Sequence, residues 1–145
     1  MSYFRSDAEI EHIARGLIDR SLPKSSWTHA AHFAAALWLL RARGTLATRE
    51  MPPLIRAYND ATGVLNTDTS GYHETITLAS LRAGHAWLAD RPGAALHVVL
   101  EEMLATPLGR SDWLFTYWSR PVLFSVAARK AWVEPNLSPL PFRVV

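Results

Sequence analysis

The chain of 145 residues contains no cysteine. Its absence excludes a disulfide framework, a thiolate metal site and a cysteine nucleophile. An excess of one charge is also lacking, because 15 Lys and Arg against 13 Asp and Glu leave a formal charge of only +2. Such a small surplus, spread along the chain, does not make a nucleic-acid-binding surface. We therefore expect no nucleic acid among the partners of this protein.

Long apolar runs are absent as well. The longest, from Phe33 to Leu40, is far too short to cross a bilayer, which takes about 20 residues. The segment from Met1 to Asp7 has no apolar core of signal-peptide length. These features predict a cytoplasmic protein without a membrane partner. The two lysines, Lys24 and Lys130, lie among polar residues, and no serine has the nucleophile-elbow pattern, so neither Schiff-base nor serine-nucleophile chemistry is indicated.

What is present predicts one folded helical domain. The hydrophobic fraction of 49% and the charged fraction of 19% are typical of a globular protein. The length is the commonest size for one domain, so we predict a single domain over residues 1–145. Apolar residues recur at helical spacing, and no convincing period-two alternation occurs. The predicted fold is all-α, a compact bundle of about five to seven helices.

Capping residues and helix breakers set the predicted boundaries. Ser6 and Glu9 fit a capping box for the first helix, and Gly44 suits the end of the second. We place the N-cap of the second helix at Ser25 or Ser26. The predicted helices cover about 7–20, 26–43, 48–62, 72–90 and 94–105, followed by a short aromatic helix from Trp113 and a last helix capped by Ser125. The Pro-rich segment 134–142 is predicted to be an extended C-terminal strap over the bundle.

Two histidine-bearing segments indicate a functional site. WTHAAH (residues 27–32) heads a helix that is apolar nearly all round, and NTDTSGYHET (residues 66–75) runs into the fourth helix. Helix starts present free backbone N–H groups and a positive dipole end, so polar side chains gathered there can form a binding site. We therefore predict a pocket at one end of the bundle that both segments form.

The histidines admit three interpretations. His29 and His32 share one helix face at i, i+3, so with His73 they could ligate a divalent metal. Alternatively, His29 and His73 are acid–base groups of a catalytic site, with Glu74 as the general base or as the residue that orients them. In the third interpretation the histidines are neutral and structural.

The loop before the fourth helix forms the rim of the predicted pocket. Gly71 permits a positive φ or a close backbone approach. The loop lacks the glycine spacing and lysine of a phosphate-binding loop and the acidic spacing of a calcium loop. Beyond it, Thr77, Ser80 and Gly84 share the stripe of His73, a small and polar surface that another helix or a ligand could approach. The predicted ligand-binding residues are Thr28, Asn66, Thr67, Thr69, Ser70 and Tyr72.

Three strings carry a resemblance. WTHAAH (27–32), GYHET (71–75) and ARKAWVEPNL (128–137) resemble those of small bacterial all-helical proteins, over most of the chain. The resemblance implies the helical fold and brings no established activity. Metal-binding four-helix proteins of the DinB-like kind also gather three histidines, but their HxxxH pair is absent here.

Three functions therefore stay open. The chain could be an enzyme, metal-assisted or not, that acts on a small polar substrate. It could be a non-catalytic small-molecule-binding protein that uses the same pocket. It could also be a helical interaction module with structural histidines, whose apolar groove or aromatic helix meets a partner, for example a second copy in a homodimer.

Overall fold

The computed structural model describes residues 4–145, and this part of the chain is all-helical. Its α-helices are α1 (Asp7–Asp19), α2 (His29–Arg43), α3 (Ala47–Ala61), α4 (Glu74–Ala89), α5 (Leu96–Leu104), α6 (Arg120–Leu123) and α7 (Val126–Lys130). Short 3-10 helices cover Lys24–Ser26, Gly44–Leu46, Pro107–Gly109 and Trp113–Thr116. The predicted all-α bundle is confirmed. None of the helices within residues 4–145 is long and apolar enough to cross a membrane.

Helix α2 forms the centre of the bundle and packs against α1, α3, α4 and α5. Its apolar residues face neighbours on nearly every side, as a helix without a polar face requires. Small residues let α2 and its neighbours pack closely. At Gly84 of α4, for example, an added methyl group would lie only 3.1 Å from Cδ1 of Leu40 in α2. The buried residues of α2 are Ala30, Ala31, Phe33, Ala34, Ala35, Ala36, Leu37, Leu39 and Leu40.

The helix ends confirm part of the predicted capping. The Ser6 hydroxyl accepts from the N–H of Glu9, and α2 ends at Gly44, whose φ is +60°. The predicted N-cap of α2 at Ser25 or Ser26 is wrong. Both residues lie in a 3-10 turn, and Thr28 caps the helix by accepting from the N–H of Ala31 at 3.2 Å. The short aromatic helix from Trp113 is also a 3-10 helix rather than an α-helix.

The C-terminal segment after α7 is the predicted strap and has no helix. It is held by hydrogen bonds to the aromatic region before α6. The indole N–H of Trp118 donates to the carbonyl of Val133 at 2.9 Å, and the N–H of Leu137 donates to the carbonyl of Tyr117 at 2.9 Å. These bonds tie the beginning of this segment to the bundle.

Candidate functional site

A cleft of about 410 Å³ opens where α2, α3 and the start of α4 meet. Its volume lies within the range of small-molecule pockets. Most of its wall is apolar, formed by Trp27, Ala36, Met51, Ile55, Val64 and Ile76, with the Tyr72 ring and the backbone of Gly71. Its polar groups come from His32, Asn59, His73, Thr77 and Ser80. Residues of both histidine-bearing segments thus line one cleft.

His32 is held in the cleft by the first turn of α2. Trp27 precedes the Thr28 N-cap, and His32 is the fourth helical residue, the two positions that pack together in a hydrophobic staple. Their rings stack with centroids 3.9 Å apart and planes 26° apart. This packing fixes the direction of the imidazole without using either ring nitrogen.

The imidazole of His32 is a free polar group that faces the cleft. Within residues 4–145, neither of its ring nitrogens has a hydrogen-bond partner. Desolvation by the surrounding protein lowers the pKa of His32, and the neighbouring His29 lowers it further. The side chain nevertheless stays accessible to water in the cleft, which limits this shift. At neutral pH the ring is therefore neutral, with one nitrogen as donor and the other as acceptor.

His29 does not line the cleft, although it is three residues from His32. Its Nε2 lies 2.7 Å from the carbonyl oxygen of Leu108, so this nitrogen carries the proton and donates it. The ring also makes an edge contact with Phe33, at a centroid distance of 5.3 Å. His29 thereby ties the start of α2 to the 3-10 helix after α5.

His73 lines the cleft but has both ring nitrogens engaged. It is the N-cap of α4: Nδ1 accepts from the N–H of Ile76 at 3.2 Å. Nε2 lies 2.6 Å from the carbonyl oxygen of Leu123 and must therefore donate. These partners define the neutral tautomer protonated on Nε2. The side chain is only 7% exposed, and burial lowers its pKa.

The histidines do not fit a divalent metal ion. Within residues 4–145, no group of three or more His, Cys, Asp or Glu side chains is placed to hold one. The Nε2 atoms of His29 and His73 face carbonyl oxygens, and Nδ1 of His73 caps α4. The predicted metal site of His29, His32 and His73 is therefore not assembled.

Tyr72 and Glu74 form a pair at the edge of the cleft. The Tyr72 hydroxyl donates to Oε1 of Glu74 at 2.5 Å. Burial, with Glu74 as an added cause, raises the pKa of Tyr72, so the phenol stays protonated. The guanidinium of Arg56 lies 4.2 Å from the centroid of the Tyr72 ring. Glu74 itself does not line the cleft, and the predicted pairing of His29, His73 and Glu74 in one reacting cluster is not seen.

Asn66 fastens the loop to α3. Its Oδ1 accepts from the N–H of Tyr72 at 2.9 Å and from Nδ2 of Asn59 at 3.0 Å. Its Nδ2 donates to the carbonyl of Arg56 and to the carboxylate of Asp60. Because a backbone N–H can only donate, the Tyr72 contact defines the orientation of the Asn66 amide, which in turn defines that of Asn59.

The other predicted rim residues lie outside the cleft. Thr67 and Ser70 bond to each other at 2.9 Å, and Thr67 Oγ1 also accepts from the N–H of Thr69. The Ser70 hydroxyl donates to the carbonyl of Leu65. Their polar atoms therefore close an exposed turn, and the Thr28 side chain caps α2.

Gly71 is required by the geometry of this loop. Its φ is +77°, and a Cβ atom there would overlap the carbonyl oxygen of Leu65 and lie 2.6 Å from Oδ1 of Asn66. We expect Gly71→Ala to lower the free energy of unfolding by about 1–3 kcal/mol, measured by urea denaturation. Gly63→Ala is the control, because Gly63 also has a positive φ but open space around it. Equal losses in the two variants would show that the close contacts at Gly71 do not matter.

Asn59 was not predicted, and Thr77 and Ser80 were predicted only as part of a polar stripe. That stripe divides in the structure: Thr77 and Ser80 line the cleft, whereas Gly84 packs on Leu40. The available signal for Asn59 was its position four residues after Ile55, on the apolar face of an amphipathic helix. In the structure Asn59 is 8% exposed.

A comparison with protein-family models finds no family that matches this chain. Comparisons with curated proteins and with solved structures find no match either. The resemblance to small bacterial helical proteins therefore stays a prediction, and the chemistry of the cleft carries the functional argument.

Proposed function

We propose that this protein binds a small, largely apolar molecule in the cleft between α2, α3 and α4. The observation that carries the proposal is the unpaired imidazole of His32 in an otherwise mostly apolar wall. Ligand pockets typically combine apolar walls with a few convergent polar groups that orient the ligand. His32 has this role here, since stacking on Trp27 holds it in place while its nitrogens stay free.

Binding is better supported than catalysis. General acid–base chemistry requires a donor or acceptor aimed at the reacting group. Of the residues predicted to be catalytic, His73 has both ring nitrogens engaged, Glu74 accepts from Tyr72, and His29 faces Leu108. Among the described titratable side chains that line the cleft, only His32 supplies a free group, and its lowered pKa makes it a weaker base than an ordinary histidine.

The interaction module keeps one supporting observation. His29 and His73 act as structural side chains that each hold a distant carbonyl group. The interaction-module hypothesis predicts that no ligand binds in the cleft, so a binding titration distinguishes it from the small-molecule-binding hypothesis. A homodimer and a cytoplasmic location stay predictions from the sequence.

We expect Ser80→Phe to weaken binding of a two-ring aromatic probe by about tenfold or more, because the added ring occupies part of the cleft. The Ser80 hydroxyl donates to the carbonyl of Ile76 in its own helix, so its loss breaks no contact between elements. Binding of naphthalene and 2-naphthol is measured by chemical-shift titration, with the indole N–H of Trp27 as reporter.

The control is Ala89→Phe, which adds the same ring at an exposed position on the same helix, outside the cleft. It should leave both affinities unchanged. Absence of binding in the natural protein would refute the proposal, as would equal weakening by Ser80→Phe and Ala89→Phe. Circular dichroism shows whether each variant keeps its helices.

A further inference from the structure

We infer that the cleft selects neutral ligands that donate a hydrogen bond, such as phenols and aromatic alcohols, over hydrocarbons and over carboxylates of the same shape. This inference rests on the proposed binding function and specifies the chemistry of the ligand. Three observations support it. The hydroxyl protons of the lining residues are already used, the Asn59 amide has a fixed orientation, and no charged side chain is among the described residues that line the cleft.

The hydroxyl groups of the cleft have no protons left for a ligand. Thr77 Oγ1 donates to the carbonyl of His73 at 2.9 Å, and Ser80 Oγ donates to the carbonyl of Ile76 at 2.8 Å. A carbonyl oxygen can only accept, so each hydroxyl proton is committed to the backbone. What these side chains offer a ligand is an oxygen lone pair.

Asn59 adds a carbonyl oxygen whose position is fixed from outside the cleft. The N–H of Tyr72 sets the orientation of Asn66, and Oδ1 of Asn66 then requires Nδ2 of Asn59 as its donor. Within residues 4–145, Oδ1 of Asn59 accepts no hydrogen bond, and it is not among the buried unpaired atoms, so it stays accessible. Asn59 lines the cleft and thus offers a second kind of acceptor.

The neutral ring of His32 offers one further acceptor nitrogen. Desolvation by the surrounding protein and the neighbouring His29 lower its pKa, so at neutral pH the ring stays neutral and keeps this lone pair. Its other nitrogen can donate a hydrogen bond to a ligand. The oxygens of Asn59, Thr77 and Ser80, by contrast, can only accept one. The balance of the polar wall therefore favours a ligand that brings its own O–H or N–H.

The wall also disfavours charged ligands. Among the described residues that line the cleft there is no Asp, Glu, Lys or Arg. A carboxylate would lose hydration without gaining a counter-charge, and it would face lone pairs on Asn59, Thr77 and Ser80. An ammonium group would find acceptors but no carboxylate.

The test compares three probes of nearly equal shape: 2-naphthol, naphthalene and 2-naphthoate. At pH 7.5 we expect 2-naphthol to bind about three- to tenfold more tightly than naphthalene, as one hydrogen bond allows. 2-Naphthoate should bind more weakly than both. The affinities are measured by the same chemical-shift titration.

Two variants locate the effect. His32→Phe keeps a ring stacked on Trp27 but removes both nitrogens, and Thr77→Val removes a lone pair with little change of shape. In the double variant, 2-naphthol should lose its advantage while naphthalene binds as before. The matched control, His12→Phe, changes an exposed histidine on α1 and should preserve the preference.

The outcomes separate this inference from the proposed function. Equal affinities for naphthalene and 2-naphthol, with binding still blocked by Ser80→Phe, would refute the donor preference and leave the binding function standing. Tightest binding of 2-naphthoate would also refute it. If none of the three probes binds, both the inference and the proposed function fail.

Discussion

Thr75→Val should lower the free energy of unfolding by about 2–4 kcal/mol, because it leaves several buried polar groups unpaired. The Thr75 side chain is fully buried. Its hydroxyl proton lies between the carbonyls of Ala128, at 2.7 Å, and Ala131, at 2.9 Å, and its oxygen accepts from the N–H of Val133. One hydroxyl thus joins α4 to α7 and to the strap. The measurement is urea denaturation followed by circular dichroism.

Two variants separate the hydroxyl from other causes. Thr75→Ser keeps the oxygen and removes a methyl group, so we expect a loss of about 1 kcal/mol. Thr77→Val removes a hydroxyl that donates to the His73 carbonyl at the start of its own helix, and it should cost less than about 1 kcal/mol. A cost for Thr75→Val no greater than that for Thr77→Val would contradict the role assigned to Thr75.

His73→Ala should cost about 2–4 kcal/mol, from two losses. The N-cap of α4 contributes about 1 kcal/mol, and the unpaired carbonyl of Leu123 adds about 1–3 kcal/mol. His73→Asn supplies a cap oxygen for the N–H of Ile76, but its side chain is too short to copy the imidazole. We therefore expect it to recover about 1 kcal/mol of the loss, measured in the same denaturation experiment.

The cost of replacing His73 should depend on pH. Burial lowers the folded-state pKa of His73 below its ordinary value of 6.5. Below pH 6.5 the unfolded chain binds a proton at His73 more readily than the folded chain does. The free energy of unfolding therefore has its full value above about pH 6.5 and falls as the pH decreases through the folded-state pKa. Because His73→Asn lacks this titration, the stability gap between natural protein and variant should narrow from pH 7.5 to pH 5.

The other titrating groups cancel in this difference. His32 also has a lowered pKa, and Asp7, Asp19 and Glu50 have pKa values lowered further into the acid range, but all four are present in both proteins. A gap that stays constant between pH 7.5 and pH 5 would show that His73 is not held in its neutral form.

The helices were predictable because their signals are local. Ser6 and Gly44 lie at helix ends where their side-chain oxygen or positive φ is needed, and the apolar circumference of α2 indicates its central place. The misplaced start of α2 had a larger consequence. With Thr28 as the N-cap, Trp27 and His32 occupy the staple positions, and their stacking follows from the sequence. With the N-cap at Ser25 or Ser26, this signal is lost.

The site was predicted only in outline, because its geometry depends on contacts between distant residues. The sequence pairs His29 with His32 by helix periodicity, but Leu108 draws the ring of His29 toward the 3-10 helix after α5. The polar loop resembled a binding rim, but the hydroxyls of Thr67 and Ser70 bond within the loop and Asn66 bonds to α3. Asp68 pairs with Lys130 of α7. Helix periodicity contains no information about the distant carbonyl group of Leu108 or about the hydrogen bonds that close the loop.

The three hydrogen bonds that hold the helix starts also set an order of assembly. His29 bonds to Leu108 across 79 residues, His73 to Leu123 across 50, and Thr75 to Ala131 across 56. On the ribosome, α1 to α4 are synthesised before any of these carbonyl partners. The cleft can therefore reach its final shape only after α7 and the beginning of the strap have been synthesised, which makes its closure a late, long-range step of folding.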